Sequence, residues 1–376
     1  MKIRKVKWAN HPILGNLELD FINPATNKPY STIVLAGENG TGKTTILETI
    51  NTFLCFGTFV PFNYIEYETN TNIYKVTPAT KQGSLNSAFD RLNISTGESK
   101  YINANKTIGY KSVLEDDADP RFYGSVMSKP RANYKTEIIK HTTAQELDKE
   151  KYDSDIVDDF TSLKQLIIDI QSQDYEEYHN INQDRAKQNN PPMPQDEYYR
   201  ISKIFRFKNA FDSFFQTMNY EKVSNIDGEK LIIFNKRGKN IKIDSLSTGE
   251  KQVVFRGAYL LKNINKLSGS IIMIDEPELS MHPKWQERIL QYYKALFTDN
   301  SGNQIAQLFI ATHSDHVLKE SFRDQCNNLV VVLNEDNGII QSKHIIAPNI
   351  LPSITIAEIP AIPAKRTNAF EIPREV

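Results

Sequence analysis

The octapeptide Gly37-Glu-Asn-Gly-Thr-Gly-Lys-Thr44 carries the most specific chemistry in this chain. It satisfies the phosphate-binding pattern G-x-x-x-x-G-K-[ST], the P-loop, without deviation. Gly37, Gly40 and Gly42 let the backbone curl so that successive N–H groups point inward, a cradle that binds an anion when it opens a helix. Lys43 would bring a point charge to the β- and γ-phosphates of a nucleotide, and the Thr44 hydroxyl would face Mg²⁺. Asn39 and Thr45 complete the expected phosphate-binding set. A second constellation, Ile271-Ile-Met-Ile-Asp275-Glu276, is an apolar run ending in two carboxylates. A buried strand would deliver Asp275 to the sheet's C-terminal edge beside the P-loop, as a Mg²⁺ ligand. Glu276, on the other side of that strand, would polarise an attacking water. Alone, such a run is an ordinary strand end; the P-loop gives it weight.

These groups need a strand, a loop and a helix to position them. Residues 32–36 are apolar and β-branched and end at Gly37, and from Lys43 onward Ile46, Leu47 and Ile50 recur at helical spacing. Earlier strands are predicted at 2–7 and 16–21. Residues 231–234 and 241–243 flank Lys236-Arg-Gly-Lys-Asn240, a hairpin with Gly238 in its turn. Helices are predicted over 249–264, 284–297 and 315–322, alternating with buried strands at 270–274, 307–311 and 329–333. That alternation implies a mainly parallel sheet with helices on its faces. Residues 58–135 read as strands and long loops, and 142–220 as helical with a break at Asn189-Asn-Pro-Pro-Met-Pro194.

Three further segments resemble a family. Leu246-Ser-Thr-Gly-Glu-Lys-Gln252 is similar to the signature loop of ABC-type ATPases. Asp275-Glu-Pro-Glu-Leu-Ser-Met-His-Pro283 resembles the Walker B strand and following loop of the soluble branch: SMC, RecF and OLD-like AAA proteins. Ala311-Thr-His-Ser314 resembles their switch-histidine segment. With the P-loop, all four stand in the family's order, over about residues 1–58 and 231–333. The resemblance implies ATP and Mg²⁺ as cofactors. It also implies that Ser247 and Gly249 contact the γ-phosphate of ATP held by a second protomer, so that a homodimer or higher oligomer forms through ATP. His313 would hydrogen-bond the γ-phosphate or the water, and Gln82 is the best-placed glutamine for Mg²⁺.

Blander readings stand beside these. Ser247 before Glu250 is good capping chemistry, His313 would cap a strand end, Gln82 would be a solvated loop residue, and His282-Pro283 would shape a loop. His313-x-x-His316 supplies only two ligands, too few for a metal site. Thr248 and Glu250 stand where transporter subunits carry Gly and Gln, and the usual Asp is absent from Ser280-Met-His-Pro283. Both departures argue against a transporter engine.

The middle and the tail set the remaining expectations. Residues 136–199 hold 15 Asp+Glu against 6 Lys+Arg, whereas 200–242 hold 10 Lys+Arg against 4 Asp+Glu. Within the basic part, Arg200-Ile-Ser-Lys-Ile-Phe-Arg-Phe-Lys208 would sit on DNA phosphate or an acidic partner, or form an amphipathic helix with snorkelling lysines. No heptad repeat fills the gap as the coiled coil of SMC proteins would. OLD nucleases continue into a metal-binding TOPRIM nuclease; 63 residues follow His313 here, without such an acidic cluster. The expectation is therefore a separate effector of nuclease type that the ATPase regulates, as in bacterial anti-phage defence modules. The alternatives are a RecF- or SMC-like DNA-repair ATPase and a slow-turnover, ATP-bound scaffold.

Composition bounds all of this. The chain has 376 residues, 39% hydrophobic and 24% charged, with net charge −1, so no global field advertises nucleic acid or membrane. Two cysteines, Cys55 and Cys326, exclude a disulfide framework. The basic N-terminus lacks a following apolar stretch, so a soluble, cytoplasmic protein without membrane contact is expected. The fold class expected is α/β: a P-loop NTPase of ABC-ATPase type with a mixed sheet and a mostly helical insertion. The ATPase lobes are drawn at 1–58 and 229–347, the acidic, mostly helical insertion at 59–228, and a Pro-rich tail at 348–376.

Overall fold

A computed structural model describes residues 1–55, 62–79, 88–103, 116–130, 147–148, 152–154, 160–226, 229–299 and 301–345. Seven strands form the central sheet: β5 (Thr32–Gly37), β10 (Ser125–Ser128), β11 (Tyr152–Ser154), β15 (Ile271–Asp275), β16 (Gln307–Thr312), β17 (Asn328–Asp336) and β18 (Ile339–Ile345). Their order is β11-β10-β15-β16-β5-β17-β18. The first six run parallel, and β18 closes the edge antiparallel.

Strands β5, β15 and β16 are buried at every position. Their continuous apolar runs have this cause: both faces of a parallel sheet are covered, so alternation disappears. The period of two persists underneath. Val34, Ile272, Ile274, Leu308, Ile310, Val330 and Val332 enter one core, while their neighbours Ile33, Leu35, Ile271, Met273, Phe309, Leu329 and Val331 enter the other.

The second core lies under α1 (Lys43–Leu54) and an antiparallel sheet. That sheet comprises β1 (Lys2–Lys7), β2 (Glu18–Asp20), β6 (Tyr64–Glu68), β7 (Ile73–Pro78), β8 (Ala88–Asn93) and β9 (Ser99–Asn103). Its order is β2-β1-β6-β7-β8-β9, with Ile3, Val6, Leu19, Tyr67, Val76 and Phe89 turned inward. A short ladder pairs β3 (Ile22–Asn23) with β4 (Lys28–Pro29).

The first core lies under helices: α2 (Phe160–Lys187), α3 (Gln195–Ile201), α4 (Phe205–Phe214), α5 (Thr248–Leu261), α6 (Pro283–Leu296) and α7 (Asp315–Ser321). A third sheet, β12 (Met218–Ile226), β13 (Glu229–Lys236) and β14 (Lys239–Lys242), packs Ile232 and Phe234 into the same core. Its β13–β14 turn has positive φ at both Arg237 (53°) and Gly238 (79°), a two-residue turn whose twist matches the flanking strands.

Among the described residues, the span 59–228 is not an insertion apart: its first part, read as strands, joins both sheets, and its later part carries α2–α4. Strands β6–β9 extend the sheet begun by β1, and β10 and β11 extend the parallel sheet beyond β15. Period-two burial in β6 and β7 is the physical reason: Ile65, Tyr67, Tyr74 and Val76 are buried and alternate with partly exposed residues, which suits a half-covered sheet. The first α-helix of this span among the described residues is α2, whose first half buries Leu163, Leu166, Ile167 and Ile170 in the main core. Its break before α3 is held by Arg185 donating to the Pro191 carbonyl (2.6 Å) and Tyr178 to the Met193 carbonyl (2.8 Å). Among the described residues, no helix is long and apolar enough to cross a membrane. Gln82 and the Pro-rich tail at 348–376 lie outside the described residues.

Candidate nucleotide site

Strand β5 lies between β16 and β17 and ends at Gly37, so the following loop emerges at the C-terminal edge of the parallel sheet. Ligands of open α/β sheets bind at such an edge. A Cβ on Gly37 would stand 2.5 Å from the Leu333 carbonyl oxygen, and one on Gly42 would stand 2.4 Å from Leu14 Cδ2. Gly42, at φ 85°, is the N-cap of α1 and supplies no side-chain cap, so the helix's first N–H groups remain for an anion. Gly40 has φ 88° and open space where its side chain would be. Asn39 and Gly40 are exposed on the loop, and Thr45 is half-buried with its carbonyl accepting from Thr49 Oγ1 at 2.8 Å.

The Lys43 ammonium folds back onto the loop, donating to the carbonyls of Gly37 (2.8 Å) and Glu38 (2.9 Å). Burial pushes its pKa down, opposed by the neighbouring carboxylates Asp275, Glu276 and Glu278. A phosphate offers that ammonium a stronger acceptor than a carbonyl. Thr44 Oγ1 donates to Asp275 Oδ2 at 2.7 Å, linking the P-loop to the end of β15. Asp275 is 2% exposed, and its Oδ1 is buried with no hydrogen-bond partner. Burial raises its pKa above the usual carboxylate range, only partly offset by the Thr44 hydroxyl. A hydroxyl, a carboxylate with an unused oxygen and an adjacent phosphate cradle are the donor set of Mg²⁺, which keeps waters and takes one or two protein ligands. Consistent with that economy, no group of three or more His, Cys, Asp or Glu among the described residues forms a metal site on its own. The His313-x-x-His316 pair is no exception: His316 Nδ1 faces Glu287 at 3.3 Å instead.

Glu276 leaves the strand with φ 46°, an uncommon backbone for a non-glycine residue. Its N–H donates to the Ala311 carbonyl (2.9 Å), and its carbonyl accepts from Arg256 Nη1 (3.0 Å). Its carboxylate stays partly exposed, 3.7 Å from His313 Nδ1. His313 follows β16, the strand beside β15, which brings the two side chains to one edge. Lys43, Thr44, Asp275, Glu276 and His313 therefore converge.

Ser247 and Gly249 do not join them. Among the described residues, no hydrogen bond or ion pair connects 247–249 with the P-loop. Ser247 is the N-cap of α5, in a capping box with Glu250: its N–H donates to Glu250 Oε2 (2.9 Å), and Glu250 N–H returns to Ser247 Oγ (3.4 Å). Burial opposes ionisation of Glu250, but Lys236 at 2.5 Å and Ser247 outweigh it and hold the carboxyl below its usual range. Gly249 serves a close approach, since a Cβ there would stand 2.8 Å from the Ser280 carbonyl oxygen. The capping reading therefore holds, and Ser247 and Thr248 remain exposed. His282 accepts from Lys284 N–H as the N-cap of α6, the structural role expected of it.

Two residues here were not identified from sequence. Arg256, 1% exposed on α5, donates to Ser128 Oγ (2.6 Å), to the Ser128 carbonyl (2.9 Å) and to the carbonyls of Asp275 and Glu276. It ties the signature helix to the end of the Walker B strand. Glu278, 2% exposed, accepts from Thr312 Oγ1 and from the His313 N–H. A lone arginine amid apolar helix positions, and an acid two residues beyond Glu276, were the signals available.

Of the two readings of Arg200–Lys208, the structure favours the amphipathic one. Lys203 pairs with Glu177 (3.3 Å), Arg206 with Asp148 (3.1 Å) and Lys208 with Asp212. Ile204 and Phe207 are fully buried, so this is an amphipathic segment in which three cations answer local acids while Arg200 stays exposed.

A family model described as "AAA domain, putative AbiEii toxin, Type IV TA system" matches residues 33–319, well over half of the chain. A curated relative, the retron Vc95 probable ATPase of Vibrio cholerae serotype O1 biovar El Tor, is 27% identical over 164 residues. That match spans 41% of this chain and 30% of the relative's length. Among solved structures, an SMC head bound to the C-winged helix domain of ScpA aligns at TM-score 0.46 with 14% identity, covering 92% of this chain and 98% of that one. The SMC head domain from Thermotoga maritima aligns at TM-score 0.44, with 14% identity and coverages of 92% and 99%.

Proposed function

The chain belongs to this AAA domain family, whose members share a P-loop ATPase core, and we propose that it hydrolyses ATP as an ABC-type engine completed by a second protomer. The observation that carries the proposal is the Thr44–Asp275 bond at 2.7 Å, with Glu276 and His313 at the same sheet edge. The P-loop N–H groups and Lys43 hold the phosphates, and Thr44 and Asp275 hold Mg²⁺, which supplies charge neutralisation when bound. Glu276 accepts the proton of the attacking water, and His313 senses the γ-phosphate. The exposed start of α5, at Ser247 and Thr248, faces the γ-phosphate of a second copy, since a helix N-terminus favours an anion. ATP then joins two protomers and hydrolysis parts them.

We further propose that assembly regulates a separate effector of nuclease type in antiviral defence, in the cytoplasm. The likeness to a putative AbiEii toxin domain of type IV toxin–antitoxin systems and to a retron ATPase supports that setting. The DNA-repair alternative loses its main support, because Lys203, Arg206 and Lys208 are paired within the chain.

Mass in solution and ATP turnover of Glu276→Gln test the proposal. Turnover is expected to fall by about a hundredfold or more, with ATP retained and a dimer appearing only with ATP and Mg²⁺. Assembly that ignores nucleotide would remove the bridging role, and unchanged turnover would remove the role of Glu276.

A further inference from the structure

The loop between β15 and α6 carries a second acid, Glu278, whose position is not that of a surface charge. It is 2% exposed, on the far side of Pro277 from Glu276. Its Oε1 accepts from Thr312 Oγ1 at 2.7 Å and from the His313 backbone N–H at 3.0 Å. The same oxygen lies 3.4 Å from His313 Nδ1, nearer than Glu276 Oε1 at 3.7 Å. Thr312 is held in turn, its Oγ1 accepting from the Ser314 N–H at 3.0 Å. One buried carboxylate thus holds the His313 backbone and the preceding hydroxyl, and lies 3.4 Å from the His313 ring.

This arrangement constrains the ring. Two donors already converge on Oε1, so that atom is an acceptor, and a third polar group at 3.4 Å is accommodated there as a donor. Two carboxylates face Nδ1, and a bare nitrogen lone pair toward both would be repulsive. We propose that Glu278 is a positioning residue for nucleotide hydrolysis: it holds the His313 proton on Nδ1 and so turns Nε2 toward the γ-phosphate or its water. The partner of one ring nitrogen decides what the other can do. The inference rests on the proposed role of His313, which it deepens.

Selective ¹⁵N labelling of histidine, with the His313→Ala spectrum identifying the His313 resonances, reads the tautomer directly in the nucleotide-free protein. The wild-type ring is expected in the Nδ1–H form. Glu278→Gln keeps an acceptor for Thr312 and for the His313 N–H while removing the charge, and should move the ring toward the Nε2–H form. In the same variant, kcat for ATP should fall about tenfold to a hundredfold with KM changed less than about twofold. In a His313→Ala background, Glu278→Gln should cost almost nothing further. A wild-type ring in the Nε2–H form overturns the proposal even if the variant fails to fold. So does a fall in kcat with an unchanged tautomer, or a full loss repeated on top of His313→Ala. If the wild type holds the Nδ1–H form yet turns over no ATP, the hydrolytic reading fails and the positioning stands.

Discussion

At the residue scale, the site is built from side chains that are costly to hold without a ligand. Lys43 is buried against backbone carbonyls, and Asp275 keeps one oxygen with no partner in a buried place. Each is a group whose solvation folding has removed, and a phosphate or a divalent cation would restore it. The glycines are constrained as tightly. Gly42 combines a left-handed backbone with a 2.4 Å approach of Leu14 to any added Cβ. Gly42→Ala is therefore expected to destabilise the fold by about 1–3 kcal/mol and to abolish nucleotide binding. Thermal melting and titration with a fluorescent ATP analogue read the two effects; a stable variant with intact binding would mean the loop adopts another shape. Gly40, with open space above it, tolerates a side chain sterically and is constrained by φ alone.

At the element scale, the signature helix α5 is the link between the site and the rest of the helical layer. Arg256 anchors it to the carbonyls of Asp275 and Glu276, and the capping box fixes its first turn. Glu250 joins that box to Lys236 on β13, so the helix start is coupled to the neighbouring hairpin. Because its carboxyl is held below the usual 4.5, its ionisation stabilises the folded state. That contribution is complete above the unfolded value and is lost as pH falls through the lowered folded value. Glu250→Gln should lose about 1 kcal/mol near neutrality. It should also show a shallower loss of stability below about pH 4.5 than the wild type. Urea unfolding midpoints followed across that range check this, and parallel curves for the two proteins would exclude the ion pair as a contributor.

At the scale of the whole molecule, the two cores place chemistry at one edge and coverage everywhere else. The parallel sheet is sealed by helices on one face and by α1 with the antiparallel sheet on the other, leaving its C-terminal edge to P-loop, Walker B and switch segments. Ser247 is exposed and separate from that edge's hydrogen-bond network, as a group meant for a second copy would be. Ser247→Arg should leave ATP binding by the monomer within about twofold, since the hydrogen bonds of the Ser247 side chain go to Glu250, and should eliminate the ATP-dependent dimer through bulk at the contact. Light scattering of the double variant Ser247→Arg, Glu276→Gln with ATP and Mg²⁺ decides the matter: a persistent dimer places the interface elsewhere.

The sequence by itself determined the local chemistry: the P-loop, the acids that end β15, the hairpin at Gly238 and the alternation of strands with helices. Those depend on short-range pattern, which a single chain displays. Three things only the tertiary structure decided. Strands β6–β11 joined both sheets, because strand pairing is a long-range choice that period-two burial permits but does not address. Lys203, Arg206 and Lys208 met acids at Glu177, Asp148 and Asp212, and whether a charge is solvated or paired depends on what packs beside it. Glu278 and Arg256 acquired their positions because burial turns an ordinary acid and base into fixed hydrogen-bonding groups, and burial is a property of the assembled fold.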